Sequence, residues 1–370
     1  MKKVSVLIKP ASSHCNLRCK YCFYANVCSL REVGSFGNMS KDTVEDMIRN
    51  LFEDLVDGDE LTLAFQGGEP TLAGIKYYKN LINVVQQQSK CVKVNYSLQT
   101  NGTLITNEWC ELFKEHKFLI GLSIDGCKEF HDLNRVGTRG EGTFDKILEA
   151  KQLFDEYEIN YNILCVVTNA LAKEYKKVYC FLRDHNIKYV QFIPCIGKLD
   201  SNPRTEYQLT PSRFYLFYSK MFKFWFEDLL QGRYTSIKLF DDLFNLFVNK
   251  EVNACGLVGN CQIQFVIEGD GSVYPYDFYV LDEWKLGNIR EQGLKELLLS
   301  KRSREFLCRP KEWSDECGRC PFVSICRGGC RRMTDVMFID KKTNNCAYQK
   351  LLKLFMSHVD EILHTLGKIY

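Results

Sequence analysis

The sequence predicts an α/β protein built as a partial (β/α)6 barrel, followed by a cysteine-rich C-terminal domain. Two observations carry this expectation. Six short runs of β character alternate with helical segments from residue 3 to about 195, and eight cysteines crowd the region 255–346. Repeated strand–helix units imply parallel strands joined by right-handed crossovers, and ligands then gather at the carboxyl ends of the strands. Six units are fewer than a closed eight-stranded barrel requires.

The elements follow in order. VSVLIK, ELTLAF, VNYSLQT, FLIGLSID, YNILCVVT and YVQFIPC read as strands, each rich in β-branched and aromatic residues. Between them, KDTVEDMIRNLFEDLV places Val44, Met47, Ile48, Leu51 and Leu55 at helical spacing. IKYYKNLINVVQQQ, NEWCELFKEH, TFDKILEAKQLFDEY and KEYKKVYCFLRDH supply the other crossovers. SNPRTEYQLTPS, polar and proline-bearing, reads as a connection. Two aromatic-rich helices are expected next, PSRFYLFYSKMFKFWFEDLLQ and SIKLFDDLFNLFVNK. IQFVIEGDGSVYPYDF then reads as a hairpin turning at Gly269, Asp270 and Gly271, and CAYQKLLKLFMSHVDEILHTLGKIY as one amphipathic helix. The expected domains are 1–235, the barrel with its connecting helix, and 236–370, the cysteine-rich part.

Composition narrows the class. The chain has 370 residues, 45% hydrophobic and 26% charged, with a net charge of +3 and basic residues interspersed among acidic ones. No nucleic-acid or polybasic membrane surface is indicated. The apolar run near the N-terminus meets Pro10 too early for a secretory segment, and no stretch reaches the roughly 18 apolar residues of a membrane span. A cytoplasmic, reducing location is expected, where clustered cysteines point to metal rather than disulfides. Cys28, Cys91, Cys110, Cys127, Cys165, Cys180, Cys195 and Cys308 stand apart from the clusters and are expected to be small buried hydrophobes.

The first cluster is CNLRCKYCF, which sets Cys15, Cys19 and Cys22 in a loop directly after a strand. Three thiolates leave one iron of a four-iron cubane open to another ligand; a structural zinc would want a fourth donor, and His14 is poorly placed for it. Followed by Phe23, this CxxxCxxC motif resembles the radical adenosylmethionine superfamily. Gly67, Gly68 and Glu69, with Pro70, end the next strand where that superfamily has a turn receiving the methionine amino group. The resemblance implies S-adenosyl-L-methionine as cofactor and a partial barrel of the radical SAM type. It further suggests that Ser123 and Asp125 in GLSIDG, and Arg135 in HDLNR, face that cofactor.

The second array spells CxxCxxxxxCxxxC through Cys317, Cys320, Cys326 and Cys330, with Cys346 beyond and Cys255 and Cys261 upstream. It resembles the SPASM extension of radical adenosylmethionine enzymes, which implies two auxiliary clusters and three [4Fe-4S] clusters in all. One auxiliary cluster would take Cys255, Cys261 and Cys330, the other Cys317, Cys320, Cys326 and Cys346. One position departs from the pattern: after Gly271 a cysteine ligand is expected, and Tyr276 stands there. Its phenolate could ligate iron, one iron could stay open, or the ring could merely pack.

Nearly the whole chain is similar to the anaerobic sulfatase-maturating enzymes, from LIKPASSHCNLRCKYCFY through FQGGEPTLAG to GDGSVYPYDFYV and CRGGCRR. That resemblance implies oxidation of a Cys or Ser side chain to formylglycine in a peptide segment of an unfolded sulfatase. A flavodoxin or ferredoxin would be the electron donor, and neither nucleic acid nor membrane a partner. It places Asp277 as the base for the substrate thiol or hydroxyl, and Tyr24 and Gln66 near the substrate. The alternatives are a radical maturase of another ribosomal peptide, a non-catalytic iron-sulfur redox protein, and a zinc scaffold.

Overall fold

In the computed structural model, residues 1–200, 204–252, 254–311, 313–340, 342–343 and 345–369 are described. Among the described residues twelve strands alternate with helices: β1 Lys3–Ile8, β2 Glu60–Phe65, β3 Lys93–Thr100, β4 Leu119–Ser123, β5 Tyr161–Val167, β6 Tyr189–Pro194, β7 Ser236–Ile237, β8 Val266–Ile267, β9 Ser272–Tyr274, β10 Gly287–Asn288, and the small antiparallel pair β11 Ile339–Asp340 and β12 Asn345–Cys346. The six predicted strands are β1 to β6, and the expected crossover helices lie between them. The chain divides into two compact units.

The first unit comprises Met1–Ser123, Arg135–Tyr161 and Gln262–Arg309. Its strands run in the order β10-β9-β8-β1-β2-β3-β4. β1, β2, β3 and β4 pair in parallel, with Ile8 opposite Phe65 and Phe65 opposite Leu98, so their carboxyl ends share one edge. Val6, Ile8, Leu61, Leu63 and Phe65 are buried, as are Val44, Met47, Ile48 and Leu51 of the helix Lys41–Glu53. Ser40 caps that helix, its Oγ accepting from the Thr43 N–H at 3.1 Å.

The predicted hairpin is present as β8 and β9, paired antiparallel with Val266 opposite Tyr274. Its turn depends on Gly271, whose φ of +87° is open to glycine and strained for other residues. Sequence reading did not anticipate where the hairpin goes. β8 lies parallel to β1, Leu7 opposite Val266 and Ile8 opposite Ile267, so the hairpin extends the sheet beside the first strand.

The second unit comprises Ile124–Asn134, Asn162–Cys261 and Pro310–Tyr370. It holds the parallel strands β5, β6 and β7 and the long helix Pro211–Leu230. That helix opens with Thr210 as N-cap and Pro211 at its first position, and buries Phe214, Phe217, Tyr218, Met221, Phe222 and Trp225. Phe222 meets Phe355 at 5.6 Å between ring centroids, and Trp225 meets Phe240 at 5.2 Å. Of the predicted connection, residues 201–203 lie outside the described ones, and 204–210 form neither helix nor strand.

Three expectations need correction. The C-terminal segment is two helices, Ala347–Met356 and Val359–Ile369, not one; its last residue lies outside the described ones. Ser357 Oγ donates to the Leu354 carbonyl at 2.8 Å and His358 Nδ1 meets the same oxygen at 2.9 Å, which captures the carbonyl a continuing helix would need. SIKLFDDLFNLFVNK begins as strand β7 before its helix, Lys238–Val248. Among the scattered cysteines, Cys28, Cys110, Cys165 and Cys195 are buried, whereas Cys91, Cys180 and Cys308 are exposed. Cys180 sits on the helix Tyr175–Asp184 opposite its buried Val178, Tyr179, Phe181 and Leu182. Among the described residues no helix is long and apolar enough to cross a membrane.

Candidate active site

The shared edge of β1 to β4 assembles the first group of predicted residues. After β1 the chain turns through Ser12 and His14 into Cys15, and after β2 it turns through Gly67, Gly68 and Glu69. The two loops are joined backbone to backbone: the Gly68 N–H donates to the Ser12 carbonyl at 2.9 Å and the Glu69 N–H to that of His14 at 2.7 Å. This approach requires glycine, since a Cβ at Gly68 would fall 2.0 Å from the His14 carbonyl oxygen. Glu69 turns its carboxylate inward, where it accepts from Thr71 Oγ1 at 2.6 Å, Thr100 Oγ1 at 2.7 Å and the Asn101 N–H at 2.8 Å. Burial raises its pKa, and these donors oppose the rise. The carboxylate therefore braces the turn from within.

Cys15 accepts from the Leu17 N–H at 3.4 Å, and Cys22, the N-cap of the helix Phe23–Ser29, accepts from the Ala25 N–H at 3.4 Å. Burial, with lesser contributions from Glu69 and Cys22, pushes the Cys15 thiol up to about 11 despite the Leu17 N–H. Coordinated iron reverses such a preference, because a thiol that binds metal is deprotonated. Cys19 is half-buried and Cys22 exposed.

The second feature is a buried network of charges around Asp277. Lys9 follows β1 and is fully buried; its Nζ donates to Asp277 Oδ1 at 2.6 Å and stands 3.6 Å from the centre of the Tyr24 ring. Gln66 Nε2 donates to Asp277 Oδ2 at 3.3 Å. Tyr24 hydrogen-bonds through its hydroxyl to Glu268 Oε1, which also receives Arg31 Nη1 at 2.6 Å. Arg31 Nη2 reaches Cys28 Sγ at 3.2 Å and the Gly34 carbonyl at 2.9 Å. Burial works to raise the Glu268 pKa, but Lys9 and Arg31 hold its carboxyl below the ordinary range. Burial and then Glu268 raise the Tyr24 pKa.

Asp277, Tyr24 and Gln66 are thus brought together as expected, and the pairing of β8 with β1 is what does it. Lys9, Arg31 and Glu268 were missed. The available signal was a charge closing an apolar strand, LIK at β1 and VIE at β8. Tyr276 is half-buried with extended backbone, its ring 5.4 Å from that of Phe278. Ser123 is buried at the end of β4, and the Arg135 guanidinium lies 5.6 Å over the Tyr21 ring. In the second unit, Asp125 is buried and its Oδ1 accepts from the Val166 N–H at 2.9 Å.

That unit gathers the other cysteines into two sets. Cys317, Cys320, Cys326 and Cys346 line one cavity together with Phe322 and Phe338. Gln349 donates from its side chain to Cys320 Sγ at 3.2 Å and from its backbone to Cys346 Sγ at 3.4 Å. Among the described residues no three His, Cys, Asp or Glu side chains are gathered closely enough to hold a single metal ion. Four thiols opening on an apolar cavity suit a cluster in which each binds its own iron better than one tetrahedral zinc. Cys330 belongs to the other set: Cys261 acts on it electrostatically, and a Cβ at Gly256, beside Cys255, would lie 3.8 Å from its own.

Residues 10–179 match the radical SAM superfamily and residues 255–321 an iron-sulfur cluster-binding domain of the SPASM type. The cysteine-type anaerobic sulfatase-maturating enzyme of Clostridium novyi is 40% identical over 98% of this chain and 97% of its own. The chain belongs to the anaerobic sulfatase-maturating enzymes. Another cysteine-type member, from Clostridium perfringens, is 43% identical over 90% of both chains. A solved structure of this family, native anSMEcpe with bound AdoMet and Cp18Cys peptide, superposes with a TM-score of 0.88 at 39% identity over the full length of both. The radical SAM fold with a C-terminal SPASM domain is therefore that of the family. SuiB of Streptococcus suis with its precursor peptide SuiA, at 17% identity, 89% of this chain, 72% of its own and a TM-score of 0.61, shares the fold.

Proposed function

We propose that this protein oxidises a cysteine side chain, within a peptide segment of an unfolded sulfatase, to formylglycine. The observation that carries the reading is Asp277: a buried carboxylate, held by Lys9 and Gln66 beside Tyr24, at the sheet edge that also leads into Cys15, Cys19 and Cys22. Cysteine rather than serine is assigned because the relatives above 40% identity over most of their length are cysteine-type, whereas a serine-type enzyme from Bacteroides thetaiotaomicron is 28% identical over 89% of this chain and 83% of its own.

The proposed function takes three [4Fe-4S] clusters: Cys15, Cys19 and Cys22 for the one that holds S-adenosyl-L-methionine, Cys255, Cys261 and Cys330 for a second, with Tyr276 at the sequence position of its fourth ligand, and Cys317, Cys320, Cys326 and Cys346 for a third. A phenolate is a chemically sound fourth ligand, since metal favours the anion and tyrosine ligates iron in catalase. When bound, these groups supply the radical that removes a β-hydrogen from the substrate and the sink for the electron left behind. The chain's residues do the rest. The backbone of Gly67, Gly68 and Glu69, with Ser123, Asp125 and Arg135, seats the adenosylmethionine. Tyr24 and Gln66 hold the side chain to be oxidised, and Asp277 takes the thiol proton as the carbon–sulfur double bond forms. Water then replaces sulfur, releasing sulfide and leaving the aldehyde. A flavodoxin or ferredoxin supplies the priming electron.

The test is anaerobic incubation with adenosylmethionine, a one-electron reductant and a peptide carrying CxAxR or SxAxR, followed by mass spectrometry for the aldehyde. Asp277→Asn is expected to form deoxyadenosine while yielding about 10²-fold to 10⁴-fold less formylglycine. Near-normal yield would return Asp277 to a purely structural role.

A further inference from the structure

The two oxygens of Asp277 are held unequally. Oδ1 receives the Lys9 ammonium at 2.6 Å, and Lys9 has no exposed surface. Among the described residues Oδ2 receives only the Gln66 amide, at 3.3 Å. We infer that Lys9 is a positioning residue that commits Oδ1 and leaves Oδ2 as the oxygen that takes the substrate proton, the long Gln66 contact being the one the substrate displaces. The inference rests on Asp277 being the base.

Lys9 keeps its place without help from Asp277. Its backbone N–H donates to the Ile267 carbonyl at 2.8 Å, which ties the end of β1 to the hairpin carrying Asp277. Its Nζ sits on the Tyr24 ring, and Tyr24 is fixed in turn through Glu268 to Arg31. A Cβ at Gly67 would lie 3.4 Å from that of Lys9, so the GGEP turn closes over the lysine stem. A carboxylate pinned through one oxygen to such an anchor has one orientation about its terminal bond. Unpinned, it rotates, and the accepting lone pair leaves the line of the thiol hydrogen. A misplacement of about 1 Å near reacting atoms costs on the order of 10²-fold in rate.

The experiment uses the full chain, reconstituted anaerobically with its clusters, as wild type, Lys9→Met, Lys9→Gln, Lys9→Arg and Asp277→Asn. Deoxyadenosine and formylglycine are quantified together, with the peptide KM and the thermal unfolding midpoint. In Lys9→Met the ratio of formylglycine to deoxyadenosine is expected to fall about 10²-fold, with KM nearly unchanged. Lys9→Gln, polar and uncharged but one atom too short to reach Oδ1, carries the same expectation where Lys9→Met does not fold. Lys9→Arg, which restores a cation, should recover most of the ratio. A wild-type ratio in folded Lys9→Met or Lys9→Gln overturns the inference, as does Lys9→Arg no better than Lys9→Met. Wild type that makes no formylglycine, or Asp277→Asn that makes it normally, overturns the reading beneath it instead.

Discussion

Replacing Arg31 with methionine isolates one of the most enclosed charges in the first unit. Arg31 and Glu268 pair at 2.6 Å with neither side chain exposed to solvent. Removing one member of a buried pair typically costs about 3–5 kcal/mol, because the other charge stays in a medium that cannot solvate it. Glu268 would keep the Tyr24 hydroxyl and the nearby charge of Lys9, so the lower end, about 3 kcal/mol, is expected. At about 2–4 °C per kcal/mol for a domain of this size, the unfolding midpoint should drop by roughly 6–12 °C. Glu268→Gln should cost a similar amount by stranding the guanidinium. The double variant removes both charges and should cost less than the sum, with a coupling of about 2 kcal/mol. The pair also sets a pH dependence. Glu268 is held below the usual carboxyl range, so its contribution is complete above the unfolded value of about 4.3 and fades as pH falls through the folded one. Wild type should therefore lose more stability than Glu268→Gln below about pH 4. Circular-dichroism melts of the four proteins, taken anaerobically, measure all of this. A coupling under about 0.5 kcal/mol would refute the account.

Gly68→Ala should displace the loop before Cys15, since the added carbon meets the His14 carbonyl at 2.0 Å. Iron per chain and deoxyadenosine formation should both fall, while Gly367→Ala, where none of the described residues lies within 4 Å of a Cβ, leaves them unchanged. Tyr276→Phe removes the one oxygen that could reach iron from that position. A changed electron paramagnetic resonance spectrum of the reduced auxiliary clusters is expected, and a spectrum identical to wild type would mean that the phenolate is not a ligand.

What could be read in the sequence was whatever repeats locally. The six strands and their crossovers announce themselves through periodicity, and the cysteines through spacing. The hairpin was equally legible, from Gly271 and the alternation around it. Its partner was not. Nothing in LIKP or VIEG says that Leu7 pairs with Val266, because a parallel pairing leaves no local turn signal. Without that pairing Lys9, Arg31 and Glu268 look like three ordinary surface charges, and their burial is a purely tertiary fact. The break at Ser357 was hidden for the opposite reason: the amphipathic pattern runs straight through it, and only two side chains competing for one carbonyl end the helix.

The pairing of β1 with β8 also orders events in time. A chain made from its N-terminus at about 5–20 residues per second exposes the free edge of β1 for tens of seconds before residue 266 exists. Through that interval Lys9 and Arg31 lack their carboxylate partners and Asp277 has not been synthesised. The loop bearing Cys15, Cys19 and Cys22 can settle against Gly68 from the outset, because both lie early in the chain. The nascent chain thus joins its two early loops, residues 12–15 and 67–69, long before the segment bearing Asp277 exists.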